Sequence, residues 1–152
     1  MTSITPVTNL GLFFGIIQHD TRTTKRPNIL WSGSTWHSEI QTWDLLLEIL
    51  AIKDNLEDVE WNFLPLTWDE VEIFALTKAF QIIGIGTAYL VIFHQSAEKL
   101  TEFILMKEEE IARTFGEIFS SSSLYSSQRL TNEQLKQIRI KSQSYYEFLS
   151  QI

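Results

Sequence analysis

IFALTKAFQII (residues 73–83) runs directly into GIGTAYLVIFHQS (84–96), and residues 73–93 carry a single charged side chain, Lys78. A helix of about 20 apolar residues is enough to cross a bilayer, so length alone admits a membrane span. The stretch breaks, however, at Gly84 and Gly86 into halves of different period. The first half follows Thr67 and Glu70, a pattern in which each side chain satisfies a free amide at a helix start. Trp68, Val71, Ala75, Ala79 and Ile82 then recur at helical spacing, with Asp69, Glu70, Glu72 and Lys78 on the outer side. The second half is β-branched and aromatic, as expected of a strand covered on both faces. The spacing predicts a helix over 68–82, a Gly-containing turn and a buried strand over 87–95, in a fold surrounded by water.

Other helix starts are marked in the same way. Ser38 with Gln41 and Thr131 with Gln134 form candidate capping boxes, and Ser96 is a candidate N-cap with Glu98 in the first turn. Helical apolar rhythms follow each, predicting helices over 39–53, 97–118 and 132–150. GLFFGIIQH (11–19), NILWSG (28–33) and VEWNFLP (59–65) are short, rich in β-formers and bounded by turn residues, and predict strands. The expected order is β-β-α-β-α-β-α-α. With right-handed crossovers, the strands at 28–33, 59–65 and 87–95 come out mutually parallel, and 11–19 antiparallel to 28–33. The expected fold is α/β or α+β, a small mixed sheet of about four strands with helices packed on it.

A chain of 152 residues fits one domain, and 44% hydrophobic residues can fill its core. Residues 1–119 read as the mixed domain and 120–130 as a Ser-rich connector. Residues 131–152 read as a C-terminal helix docked on the same domain. Cysteine is absent, which excludes disulfides, thiolate metal sites and a Cys nucleophile. No basic residue precedes the first apolar run, so the charged region of a secretory signal is missing. The expected location is cytoplasmic. Net charge is −7, concentrated in residues 41–75, which makes the chain a poor general binder of nucleic acid.

Five groups of residues carry candidate chemistry. Ligands of open α/β sheets sit beyond the carboxyl ends of parallel strands. That edge would gather Ser32, Ser34, Thr35, His37, Asp69, Glu70, His94 and Ser96. His37 or His94 would serve as acid–base group and Asp69 or Glu70 as its orienting carboxylate; the plain alternative is that these residues cap helices and end strands. His19 and Asp20 fall on the opposite edge, and no ligand spacing for a metal is present. Arg22, Lys25 and Arg26, in a Thr-rich loop, could grip phosphate within a larger complex, or simply be a solvated hairpin tip. Leu135, Ile138, Ser142, Tyr145, Leu149 and Ile152 form a short seam that either covers the sheet or meets a partner. Trp61 and Trp68 stand among acids, as core residues or as anchors for a basic partner.

No stretch carries a catalytic motif. The sequence therefore favours a non-catalytic accessory or interaction protein, a small subunit or regulator, with Trp61, Trp68, Tyr145 and Leu149 as contact residues. Its partner would be another protein or a second copy of the chain; no cofactor, metal or membrane is expected. The competing expectation is a small ligand-binding or hydrolase-like domain using the His/carboxylate edge.

Overall fold

The computed structural model describes residues 11–19, 28–35, 61–68, 71–82, 86–120 and 130–152. These form an α+β arrangement. Its strands are β1 (Leu12–His19), β2 (Asn28–Ser34), β3 (Asn62–Trp68), β4 (Val71–Ile82) and β5 (Gly86–His94). Two helices follow, α1 (Ala97–Ser120) and α2 (Asn132–Gln151). The strands make one five-stranded sheet in the order β2-β1-β5-β4-β3, and every neighbouring pair is antiparallel. The helix expected over 39–53 lies outside the described residues, as do most of the Ser-rich connector and the loop with Arg22, Lys25 and Arg26.

The opening stretch is resolved into two strands. The helix expected over 68–82 is instead β4, paired with β5 from Phe74↔His94 to Ile82↔Gly86. The reason is burial on both faces. Ile73, Ala75 and Ala79 enter one apolar cluster, while Leu76 and Phe80 enter another on the opposite side. A strand buried twice has no polar face to reveal its two-residue period. Its i, i+4 coincidences then imitate a helix, and Thr67, the supposed cap, is the penultimate residue of β3. Gaining this strand also makes the sheet wholly antiparallel among the described strands, and no crossover joins parallel neighbours. No helix among the described residues is long and apolar enough to cross a membrane.

The helices lie on one face. Leu12, Phe14 and Ile16 of β1, and Ala88, Leu90 and Ile92 of β5, meet Leu100, Phe103, Ile111 and Phe115 of α1 and Ile138, Tyr145 and Leu149 of α2. The other face buries Phe13, Ile17, Tyr89, Val91 and Phe93. β2 adds an irregularity opposite Ile16 and Ile17. The extra residue lets the consecutive Leu30 and Trp31 both pack toward the helices, while Ile29 joins the opposite cluster.

Both described helices begin where the sequence marks them. The Ser96 hydroxyl accepts the Lys99 N–H at 3.2 Å, capping α1. At Thr131 the capping box is complete: its hydroxyl accepts the Gln134 N–H at 3.1 Å, and the Gln134 side chain accepts the Thr131 N–H at 2.8 Å. The same Gln134 donates through Nε2 to the carbonyl of Ile118 at 2.9 Å, joining the start of α2 to the end of α1. At the other end the Lys99 amine reaches the carbonyl of Ile152, so the two helices run antiparallel.

Candidate functional site

The alternating strand directions bring the carboxyl ends of β2, β3 and β5 to one edge of the sheet, with β1 and β4 running the other way between them. The strands expected to be parallel neighbours are instead each separated by an antiparallel one. Thr35 and His94 both stand beside Leu12. The Leu12 N–H donates to Thr35 Oγ at 3.0 Å, the Thr35 N–H donates to the Leu12 carbonyl at 2.9 Å, and Leu12 is opposite His94 in register. Gln95 closes the same corner by accepting the Gly11 N–H at 2.7 Å. His37, Asp69 and Glu70 lie outside the described residues. His19 ends β1 at the opposite edge, paired with Thr87, as the topology requires.

His94 is 5% exposed. Its Nδ1 accepts the Ser96 N–H at 2.8 Å, so the ring braces the turn that enters α1. Burial, and then the charge of Lys99, hold its pKa below the ordinary imidazole value. The ring is thus neutral at neutral pH, with Nδ1 engaged by the backbone. Among the described residues, no group of three His, Asp or Glu side chains could hold a metal ion.

The aromatic candidates divide. Tyr145 and Leu149 face inward, 4% and 1% exposed, and Tyr145 donates from its hydroxyl to Thr114 Oγ at 3.3 Å. They serve the contact between α2, α1 and the sheet. Burial raises the Tyr145 pKa, and the Thr114 hydrogen bond opposes that shift. Trp68 ends β3. Trp61, just before β3, is half-buried against the helix-side cluster, and the Lys78 amine stands 5.7 Å from its ring centre.

Sequence reasoning missed Phe63. It is 45% exposed and stacks on Phe74 at 5.5 Å, so that the pair forms an aromatic shelf across β3 and β4. Among the described residues β3 has one hydrogen-bonded neighbour, β4, and is an edge of the sheet; Pro65 in its middle fits that position. The signal was weak: Phe63 stands two residues from Trp61 within an alternating run, but its stacking on Phe74 depends on register.

Compared with protein-family models, curated proteins and solved structures, the chain matches none.

Proposed function

We propose that this chain is a non-catalytic accessory or interaction protein, a small subunit or regulator that binds another protein through the β3 edge. One observation carries the reading. Phe63 is partly exposed, yet held in place by stacking on Phe74, on the outermost of the described strands. An ordered aromatic anchor loses little freedom on binding and removes much area from water. The sequence puts Asp54, Glu57, Asp58 and Glu60 before this strand and Asp69, Glu70 and Glu72 after it. Such charge would steer a basic partner segment toward the shelf. His94 supports the same reading, since its ring is occupied in bracing the backbone. The protein would act in the cytoplasm, and nucleic acid would enter only within a complex, through Arg22, Lys25 and Arg26.

The test is affinity capture from the source cell with the wild-type chain and with Phe63→Asp. The variant should fold, because Phe63 is outside the buried core, and should lose the captured protein. Recovery of the same proteins by both, or of no other protein by the wild type, would overturn the proposal.

A further inference from the structure

The helix layer carries a second surface that the β3 reading does not use. Leu105 is 80% exposed and Met106 58%, on the outward side of α1, while Ile140 is 46% exposed on the outward side of α2. Isolated apolar side chains on a surface are ordinary. The nearest charged neighbours of these three residues differ in sign between the two helices. Leu105 and Met106 are each three or four residues from Glu102 and Glu109, so both flank that pair on the helix surface, with Glu98 and Glu108 close by. Ile140 follows Lys136 by one turn and stands between Arg139 and Lys141 in sequence. All seven charges are exposed, and none has an ion-pair partner among the described residues; the α1 pair Lys107–Glu110, at 3.2 Å, involves neither cluster.

The two clusters are also displaced along the layer. Phe103 meets Phe148 at one level, and Gln134 meets Ile118 at another. Leu105 and Met106 are therefore near the level of Tyr145 and Tyr146, toward the start of α1. Ile140 lies nearer the other end, level with the part of α1 that carries the exposed Arg113. The α1 cluster is acidic around an apolar pair, and the charged side chains beside Ile140 on α2 are basic, with Glu133 one turn before Lys136. A two-fold axis lying in the interface, midway between them, places each cluster of one copy on the opposite cluster of the other.

We propose that this face joins two copies of the chain in an isologous dimer, α1 of each crossing α2 of the other. Leu105 and Met106 of one copy meet Ile140 of its partner, and the Glu102/Glu109 carboxylates meet Lys136 and Arg139. The charges fix the register and the apolar residues supply the area removed from water.

Sedimentation equilibrium at rising concentration tests the dimer directly. The wild-type chain should pass from its monomer mass of 17.7 kDa to twice that mass. Glu102→Lys with Glu109→Lys should remain monomeric, as should Lys136→Glu with Arg139→Glu, because each homodimer would then face like charges. Mixing the two variants should restore dimers, since both contacts become complementary again. The chain carrying all four reversals should dimerise alone. Unchanged far-ultraviolet circular dichroism verifies that the variants fold, and Phe63→Asp should leave the dimer intact. A wild-type chain that stays monomeric at every concentration, dimers indifferent to the reversals, or mixed variants that stay apart would each overturn the proposal without touching the β3 reading.

Discussion

His94 shows how one side chain is fixed by its surroundings. Its folded pKa is depressed by burial and by Lys99, and its Nδ1 accepts the Ser96 amide, a bond available only to the neutral ring. The consequence for stability has a definite sign. Above about pH 6.5 the ring is neutral in both folded and unfolded chains and contributes nothing to pH dependence. As pH falls through that value the unfolded chain takes up a proton that the folded chain refuses, so stability falls until the depressed folded pKa is passed. In His94→Asn the side-chain oxygen can still accept the amide two residues on, but does not titrate. Denaturant midpoints should therefore fall more for the wild type than for this variant as pH drops below about 6.5; parallel profiles would refute the assignment. Thr77 gives the opposite case. Its hydroxyl is buried without a hydrogen-bond partner among the described residues. Thr77→Val keeps the branched shape and removes the orphan, so unfolding should become harder by roughly 1 kcal/mol.

At the scale of elements, Gln134 holds more than its own helix. It completes the capping box with Thr131 and also donates to the Ile118 carbonyl at the end of α1. Thr131→Ala removes one cap and should cost about 1 kcal/mol. Gln134→Ala removes the reciprocal cap and the link between helices, and should cost roughly twice as much. Equal effects in chemical denaturation would mean that the Ile118 bond contributes nothing. The same comparison explains what was legible beforehand. Ser96 and Thr131 act locally, so the helices they open could be read from adjacent residues. The 71–82 segment could not be, because its period is hidden when Ile73 and Ala75 are buried on one face and Leu76 and Phe80 on the other. At the candidate site, the carboxyl ends of β2, β3 and β5 share one edge because an oppositely directed strand separates each from the next, not because they are the parallel neighbours expected from the sequence. The engagement of His94 and the Phe63–Phe74 stack were not legible, since both depend on pairing across the sheet. Leu135 was expected on the inner seam of α2, yet Gln134 is the buried residue there and Leu135 is partly exposed. Gln134 is in line with Ile138, Ser142, Tyr145 and Leu149 at helical spacing, and Leu135 stands one residue off that stripe.

For the whole molecule, the question is whether α2 is part of the fold or an appendage for partners. Its inner residues Ile138, Tyr145 and Leu149 share one cluster with β1, β5 and α1. Trp31 and Phe14 form an edge contact at 6.2 Å, Trp31 meets Tyr146 at 6.0 Å, and Phe103 is placed between Phe14 and Phe148 at 6.5 and 6.1 Å. Aromatic contacts thus run without a break from β2 through the sheet to both helices. Fully burying one such side chain stabilises a fold by roughly 1.5–3 kcal/mol, against a total of about 5–15 kcal/mol for a domain. Several are uncovered together if α2 is lost, more than a margin of that size can absorb. A chain ending at Thr131 should therefore bind a hydrophobic dye and melt without a cooperative transition. Phe103→Ala should cost about 3–5 kcal/mol and keep cooperativity if enough margin remains. A truncated chain that melts sharply near the full-length midpoint would make α2 dispensable. In that case Tyr145 and Leu149 would return as partner contacts, and the dimer through α1 and α2 would lose its rigid platform.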